Sequence, residues 1–173
     1  MAETHTVTVQ GTAFASNKSL LSLFNGAGSG RVLRVYRVWA LNHQTGAVTG
    51  VMTAIELRRI TASTGGTAQT PVKHDTNSAA LVAQITSATG PTDTVTDLFR
   101  RVLWSGDEPA VGTGTNDEME CLPANGLLWD AGYGDSNVEP ITLREGQGLS
   151  LRQPGANTIG VIDVMFEFTN SAT

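Results

Sequence analysis

The stretch that decides the fold class lies near the C-terminus and reads Val161-Ile162-Asp163-Val164-Met165-Phe166-Glu167-Phe168-Thr169. Successive side chains of a strand point to opposite sides of the sheet, so this stretch has two distinct faces. One face carries Ile162, Val164, Phe166 and Phe168, and the other carries Asp163, Met165 and Glu167. This alternation is typical of an antiparallel strand with one buried face.

Similar short segments recur along the chain, separated by turn residues such as Asn25–Gly30 and Gly90-Pro91. The patterns predict strands at residues 5–10, 20–24, 31–41, 51–60, 141–144, 149–153 and 161–169. Residues 61–77 are polar and read as a loop or a hairpin excursion. Residues 79–85 fit a short strand or a helical turn equally well. Residues 97–104 fit both as well, but their β-branched surroundings and the Gly90-Pro91 turn favour a strand.

Short strands every ten to fifteen residues, without a long amphipathic helix, predict an all-β antiparallel sandwich of about eight strands, of the jelly-roll type. An immunoglobulin-like sandwich is the alternative, but this chain is long for that fold and lacks its paired cysteines. We expect residues 1–20 to form an N-terminal arm or first strand, able to pair with a neighbouring molecule. Residues 21–173 are expected to form a single β-sandwich domain.

Composition excludes several classes of protein. The chain has 173 residues, 23 of them Thr and 19 Gly, and only 16% are charged, against about 25% in typical globular proteins. The net charge is −5 and the only lysines are Lys18 and Lys73, so a nucleic-acid partner is disfavoured. No apolar stretch approaches the roughly 18 residues of a membrane span. The N-terminus lacks the pattern of a signal peptide, so we expect synthesis in a reducing cytoplasm.

The sequence contains no arrangement that predicts catalysis, a metal or a cofactor. His5, His43 and His74 are far apart, so solvated or capping roles are favoured over a cupin-like metal site. The acidic residues 117–120 lack the spacing of a calcium loop. Gly26–Gly30 precedes a strand rather than a helix, which favours a turn over a phosphate loop. Cys121 has no base beside it in the sequence and is expected to be an inert buried thiol.

The aromatic residues offer an alternative function. Trp39, Trp104 and Trp129, with Tyr36 and Tyr133, could build a sugar-binding platform. Trp39, however, sits in an alternation typical of a core strand, which favours packing roles for the set. Tyr133 lies between two glycines in a polar loop and is the member expected to be exposed.

Two pairs of cations, Arg58-Arg59 and Arg100-Arg101, fall inside predicted strands. Because side chains alternate, one member of each pair must point toward the core side unless the strand is an edge or an interface. Arginine is enriched at protein interfaces, where its planar fork pairs with carboxylates. These four arginines and Tyr133 are therefore the candidate interface residues, and they indicate an oligomer.

Two tracts carry a resemblance to a known class of protein. The first reads Ile55-Glu56-Leu57-Arg58-Arg59-Ile60-Thr61-Ala62-Ser63-Thr64-Gly65-Gly66-Thr67-Ala68-Gln69-Thr70-Pro71-Val72-Lys73. The second reads Leu143-Arg144-Glu145-Gly146-Gln147-Gly148-Leu149-Ser150-Leu151-Arg152-Gln153. With the C-terminal strand ending in Phe166-Glu167-Phe168, they resemble small virion proteins of tailed bacteriophages. The resemblance extends over residues 50–173.

The resemblance implies a capsid decoration, or cement, protein or another head or tail accessory protein. Such proteins are commonly β-sandwiches, often trimeric, that sit on the major capsid protein shell, and they carry no catalytic residues. We therefore expect a homotrimeric virion protein on the capsid surface, made in the host cytoplasm, without cofactor, nucleic acid or membrane. The alternative is a carbohydrate- or receptor-binding module of a phage fibre, resting on the aromatic residues.

Overall fold

A computed structural model describes residues 3–43, 52–105, 126–132, 138–156 and 158–173. These residues contain twelve strands and no helix. The strands are β1 (Glu3–Ala13), β2 (Ser19–Asn25), β3 (Arg31–Asn42), β4 (Met52–Thr64), β5 (Thr67–Ala68), β6 (Val72–Lys73), β7 (Ile85–Thr89), β8 (Thr92–Ser105), β9 (Leu127–Asp130), β10 (Ile141–Leu143), β11 (Gln147–Arg152) and β12 (Val161–Ala172). Eight of them have five residues or more; β5, β6, β9 and β10 are shorter.

The strands form two antiparallel sheets. The first sheet has the order β10-β3-β12-β1-β6, and β9 also pairs with β3. The second sheet has the order β5-β7-β2-β11-β4-β8. Side chains from the facing sides of the two sheets fill one core, which confirms the predicted all-β antiparallel sandwich. The jelly-roll connectivity stays a prediction.

The core confirms the alternation at the C-terminus. All four apolar residues of the predicted inner face of β12 are at most 1% exposed. They pack against inward residues of the second sheet, which are Leu21, Leu23, Ile55, Leu57, Leu149 and Leu151. Fully burying one such side chain contributes about 1.5–3 kcal/mol, so this interdigitated layer is the main source of stability.

The N-terminal residues form a strand of the first sheet. β1 pairs with β12 of its own chain from Glu3↔Asn170 to Ala13↔Val161, with one register shift, and with β6 at His5↔Lys73. Its inward face carries His5 and Val7. The division of the chain at residue 20 and the pairing of an arm with a neighbour stay predictions.

The local predictions succeed where alternation is clear. Residues 79–84 belong to neither of the two expected elements, because a turn precedes β7 and the strand begins only at Ile85. The Gly90-Pro91 turn joins β7 to β8, and the strand expected at 97–104 extends over Thr92–Ser105. β4 likewise continues to Thr64, into the predicted loop.

Among the described residues there is no helix long and apolar enough to cross a membrane.

Candidate interaction surface

The pairing of β4 with β8 brings the four arginines of the two cationic pairs onto neighbouring strands. In this pairing Glu56 lies opposite Arg101 and Leu57 lies opposite Arg100, while Arg58 lies opposite Leu98 after a register shift. β8 is the outermost strand of the second sheet, so Arg100 and Arg101 lie at a sheet edge and the arginines of β4 lie on the strand next to it. We call Arg58, Arg100, Arg101, Leu98 and Leu103 the edge surface.

A buried carboxylate organises the edge surface. The Glu56 side chain is only 6% exposed, and its Oε2 lies 2.7 Å from Nε of Arg58. Its Oε1 lies 3.7 Å from Nη1 of Arg101, whose side chain is 59% exposed. Charge-assisted contacts of this kind fix the direction of a guanidinium group. Glu56 therefore holds Arg58 in place, and it forms a longer ion pair with one terminal guanidinium nitrogen of Arg101, whose side chain is otherwise exposed to solvent.

Arg152 on β11 is a third arginine beside this carboxylate. It lies opposite Glu56 in the pairing of β11 with β4, and it is almost completely buried. Its Nη2 donates to the side-chain oxygen and the carbonyl of Asn17. The candidate interface residues did not include Arg152, because no second cation stands beside it. The sequence hints at Arg152 only by its position, because it ends a strand in which Leu149 and Leu151 alternate with polar residues.

Arg59 has a different role from the other arginines. It shares the inner face of the second sheet with Leu57, and its Nε lies 3.4 Å from Oδ2 of Asp97. Its Nη1 donates to the carbonyl of Thr142, which belongs to β10 in the first sheet, at 3.1 Å. Its guanidinium carbon lies 5.1 Å from the ring centre of Phe99. Arg59 therefore connects the two sheets at the rim of the sandwich.

The tryptophans lie in three separate places. Trp104 is fully buried and meets Phe14 edge-on, with ring centres 4.7 Å apart. Trp129 on β9 packs against Phe99 on β8 at 6.1 Å, which closes the margin between the two sheets. Trp39 is half-buried on β3, with the guanidinium of Arg37 5.9 Å from its ring centre. These three side chains therefore do not share one surface, and Tyr133 lies outside the described residues.

The edge surface combines cations with exposed apolar side chains. Leu98 is 47% exposed and Leu103 is 45% exposed, and Arg100 is exposed as well. Strands β4, β8 and β11 carry five arginines against three carboxylates, a net charge of +2, whereas the whole chain carries −5. Arginine is enriched at protein interfaces, and the two exposed leucines add apolar area that a partner would cover.

A cavity of about 370 Å³ opens next to the edge surface. Thr53, Ala54 and Glu56 of β4 form one wall, Arg101 forms another, and the segment Pro154–Ala156 forms the third. Gln153, beneath that segment, is completely buried and donates from Nε2 to Oγ1 of Thr53 at 3.2 Å. The cavity gives a partner side chain room to enter beside Arg101.

A serine network anchors the beginning of β8. Ser150 Oγ donates to Ser19 Oγ at 2.8 Å, and Ser22 Oγ lies 3.2 Å from Ser150 Oγ. Ser19 and Ser22 both donate to Oδ2 of Asp93 on β8. Because hydroxyls that donate to one carboxylate hold it strongly, the network fixes the start of β8 against β2 and β11.

The glycine-rich turn at Gly26–Gly30 contacts a carboxylate of the same chain. The amides of Gly28 and Gly30 donate to the two oxygens of Glu145, at 3.1 and 2.7 Å. These two hydrogen bonds hold the pKa of Glu145 below its ordinary value, and the bond from Gly30 has the larger effect. A β-strand follows the turn, as the sequence predicts, and the amides serve an internal contact.

The histidines do not converge. His43 Nδ1 lies 2.8 Å from Oδ1 of Asp163, and His74 Nε2 lies 2.7 Å from Oγ1 of Thr6. The expectation of a solvated or capping role is wrong for His5, which is 1% exposed and stacks on Phe168 because it lies on the inward face of β1. Burial lowers the pKa of His5 below its ordinary value. Within the described ranges, no group of three or more His, Cys, Asp or Glu side chains could hold a metal ion.

The acidic residues 117–120 and Cys121 lie outside the described residues. Comparison with known proteins found no match for this chain among protein-family models, curated proteins or solved structures.

Proposed function

We propose that the protein is a non-catalytic virion component that binds and stabilises the outer surface of a tailed-bacteriophage capsid, as a decoration or cement protein. The observation that carries the proposal is the edge surface, where two arginines and two exposed leucines lie together on the outermost strand of a β-sandwich, beside the buried Glu56. Such a surface suits contact with a protein lattice, because arginine is among the residues that contribute most to the binding energy of interfaces.

The position of the two resembling tracts supports the proposal. The first tract contains most of β4, and the second contains β11. These strands are neighbours in the second sheet, with Leu57 opposite Leu151 and Glu56 opposite Arg152. The tracts that resemble phage virion proteins thus meet at the carboxylate that organises the edge surface.

The assembly follows from the same proposal. The partner is the major capsid protein shell, and the protein is a homotrimer of jelly-roll sandwiches at three-fold positions of that shell. Repeated weak contacts across a lattice add up through effective concentration, so a modest surface on each copy is sufficient. The protein is made in the host cytoplasm, and neither nucleic acid nor membrane takes part.

Co-sedimentation with empty shells of the phage that encodes the chain tests the proposal. Wild-type protein is expected to pellet with the shells, and the Arg100→Glu/Arg101→Glu variant is expected to remain in the supernatant. Arg31→Glu, a single charge reversal on β3 of the other sheet, is the control and should pellet like wild type. Failure of wild-type protein to pellet at low salt, where charged contacts are strongest, would contradict the proposal.

A further inference from the structure

The outer edge of β8 has no partner strand among the described residues. The two halves of β8 differ in how regularly they pair with β4. From Met52↔Ser105 to Leu57↔Arg100 the pairing with β4 runs residue for residue, while three register shifts follow between Leu57 and Ala62. Irregular pairing protects a sheet edge against further strands, and regular pairing leaves it open. The half of β8 from Arg100 to Trp104 is therefore the open part of this edge.

The side chains of this half alternate between the two faces of the sheet. Arg101 and Leu103 lie opposite Glu56 and Ala54 on the outer face. Arg100 lies opposite the inward-facing Leu57, yet it is exposed because the strand is at the margin. Directly opposite residues of paired strands share a face and lie about 5 Å apart. An added strand would therefore meet a cation on each face and one apolar side chain on the outer face.

The charge of this edge selects the partner. Arg100 and Arg101 are adjacent cations, and Glu56, which contacts Arg101, is buried and unable to pair with a partner. A second copy of the chain would bring two further arginines to the same edge, and the segment Arg100–Trp104 has no carboxylate to offset their mutual repulsion. A segment with adjacent carboxylates would pair with both arginines. Charge complementarity therefore favours an acidic strand over a second copy.

We propose that the edge of β8 from Arg100 to Trp104 receives an extended acidic strand of the capsid shell protein, which adds to the second sheet as its seventh strand. The partner strand places adjacent carboxylates opposite Arg100 and Arg101 and an apolar side chain opposite Leu103. Main-chain hydrogen bonds supply affinity in strand addition, and the side chains supply specificity. The inference deepens the proposed function, on which the identity of the partner rests.

Synthetic peptides test the edge in the full-length protein. The probe is a capped peptide of about ten residues that alternates valine and threonine and has two adjacent glutamates at its centre. One control peptide carries lysines in place of the glutamates, and the other carries methyl groups on alternate amide nitrogens, which removes main-chain donors. We expect the acidic peptide to bind and to slow amide hydrogen exchange at Arg100–Trp104, and both controls to bind at least about tenfold more weakly.

Protein variants complete the test. Arg101→Glu is expected to weaken the acidic peptide by about tenfold or more and to strengthen the lysine peptide, whereas Arg31→Glu should leave both affinities unchanged. Equal binding of the methylated peptide, protection away from β8, or no binding of the acidic peptide would overturn the inference. Protection of β8 in the free protein that increases with protein concentration would also overturn it, in favour of a second copy.

The inference and the proposed function fail in different ways. Leu103→Lys places a third cation at the edge, and the half-exposed position allows the variant to fold. If shells pellet wild-type and Leu103→Lys protein equally and no peptide protects β8, the edge inference is wrong and the decoration function stands. If the acidic peptide protects β8 but the shells pellet no protein, the function is wrong and the edge is a docking site for another acidic strand.

Discussion

Glu56 shows how one side chain can determine the direction of several others. It occupies an outward position of β4, yet three arginines surround it: Arg58 two residues along its own strand, Arg101 on β8 and Arg152 on β11. A carboxylate in this position offsets the mutual repulsion of the guanidinium groups. It is therefore a structural requirement of the edge surface.

Replacement of Glu56 by Gln removes that charge and keeps the shape of the side chain. We expect the Glu56→Gln variant to lose about 1–3 kcal/mol of unfolding free energy, because the change removes the buried partner of the 2.7 Å ion pair with Arg58 and leaves the neighbouring guanidinium charges uncompensated. Urea unfolding followed by tryptophan fluorescence measures the change. Asp97→Asn is the control, since the Asp97 side chain is 73% exposed and its contact with Arg59 contributes at most about 1 kcal/mol. Equal losses in the two variants would contradict the account of Glu56.

His5 gives the sandwich a sensitivity to acid. It is buried against Phe168, with Glu3 on its own strand and with Lys73 and His74 close by. Because burial holds the pKa of His5 in the folded state below 6.5, the unfolded chain binds a proton first as the pH falls. Stability contributed by the neutral ring is therefore lost below about pH 6.5, by at most about 1.4 kcal/mol per pH unit.

Variants that lack the titratable ring of His5 measure its contribution to the pH dependence of stability. The difference in unfolding free energy between wild type and His5→Gln should shrink as the pH decreases from about 7.5 to 4.5. His5→Phe keeps an aromatic ring for the stacking on Phe168 and should give the same trend. A difference that stays constant across this range, or that grows in acid, would contradict the assignment.

The residues of the edge surface were only partly predictable from sequence. Arg58, Arg100 and Arg101 were predictable because adjacent cations inside a strand imply an edge or an interface, whereas Arg59 lies on the inner face and connects the two sheets. The involvement of Glu56 and Arg152 was not, because it depends on which residues lie opposite each other across three strands. The inward position of His5 was predictable, since His5 shares one face of β1 with Val7 and Val9 and the threonines lie on the other.

At the scale of elements, β11 depends on a glycine for close packing with its two neighbours. A Cβ atom on Gly148 would lie 2.6 Å from the carbonyl oxygen of Leu23 and 2.7 Å from Cγ1 of Ile60. The backbone of Gly148 does not have a positive φ, so the constraint is one of space alone. The glycine thus allows β2 and β4 to pack closely on either side of β11.

Gly148→Ala is expected to lose about 1–3 kcal/mol of stability, because the nearest obstacle is backbone that cannot move aside without disturbing the sheet. The control is Gly155→Ala, where the nearest atom is Nε2 of Gln153 at 3.3 Å, and its loss should stay below about 1 kcal/mol. Thermal or urea unfolding distinguishes the two. A Gly148→Ala variant as stable as wild type would contradict this account of the packing.

Some strands can be recognised from their own sequence, and others cannot. β12 was predictable because one face is fully apolar over four alternating positions. The extra length of β8 was not, since its first residues are threonines and aspartates, and the contacts of Asp93 with Ser19 and Ser22 hold them in place. The start of β7 at Ile85 was hidden for a similar reason, because Leu81 and Val82 pack on the core without belonging to a strand.

At the scale of the whole molecule, charge is distributed unevenly. The chain is acidic overall, while three adjacent strands at one end of the second sheet have a net positive charge. An acidic body reduces non-specific association, and a local basic edge directs contact to one place. This distribution fits a protein that assembles on a lattice with one defined surface.

The trimer predicted with this function is open to direct measurement. Light scattering after size exclusion should give a mass about three times 18.2 kDa. The Arg100→Glu/Arg101→Glu variant should give the same mass, because in the proposed function the edge surface contacts the shell and not the other subunits. A monomeric mass at high protein concentration would contradict a preformed trimer.

The claim that β4 and β8 form the surface that contacts the capsid is tested most directly by hydrogen exchange of the protein bound to empty shells. We expect the amides of Arg100–Trp104 to exchange at least about tenfold more slowly on the shell than in free protein. Amides at the opposite side of the sandwich, on β6, should exchange at an unchanged rate. Shell-bound protein in which β8 exchanges as it does in solution would contradict the account.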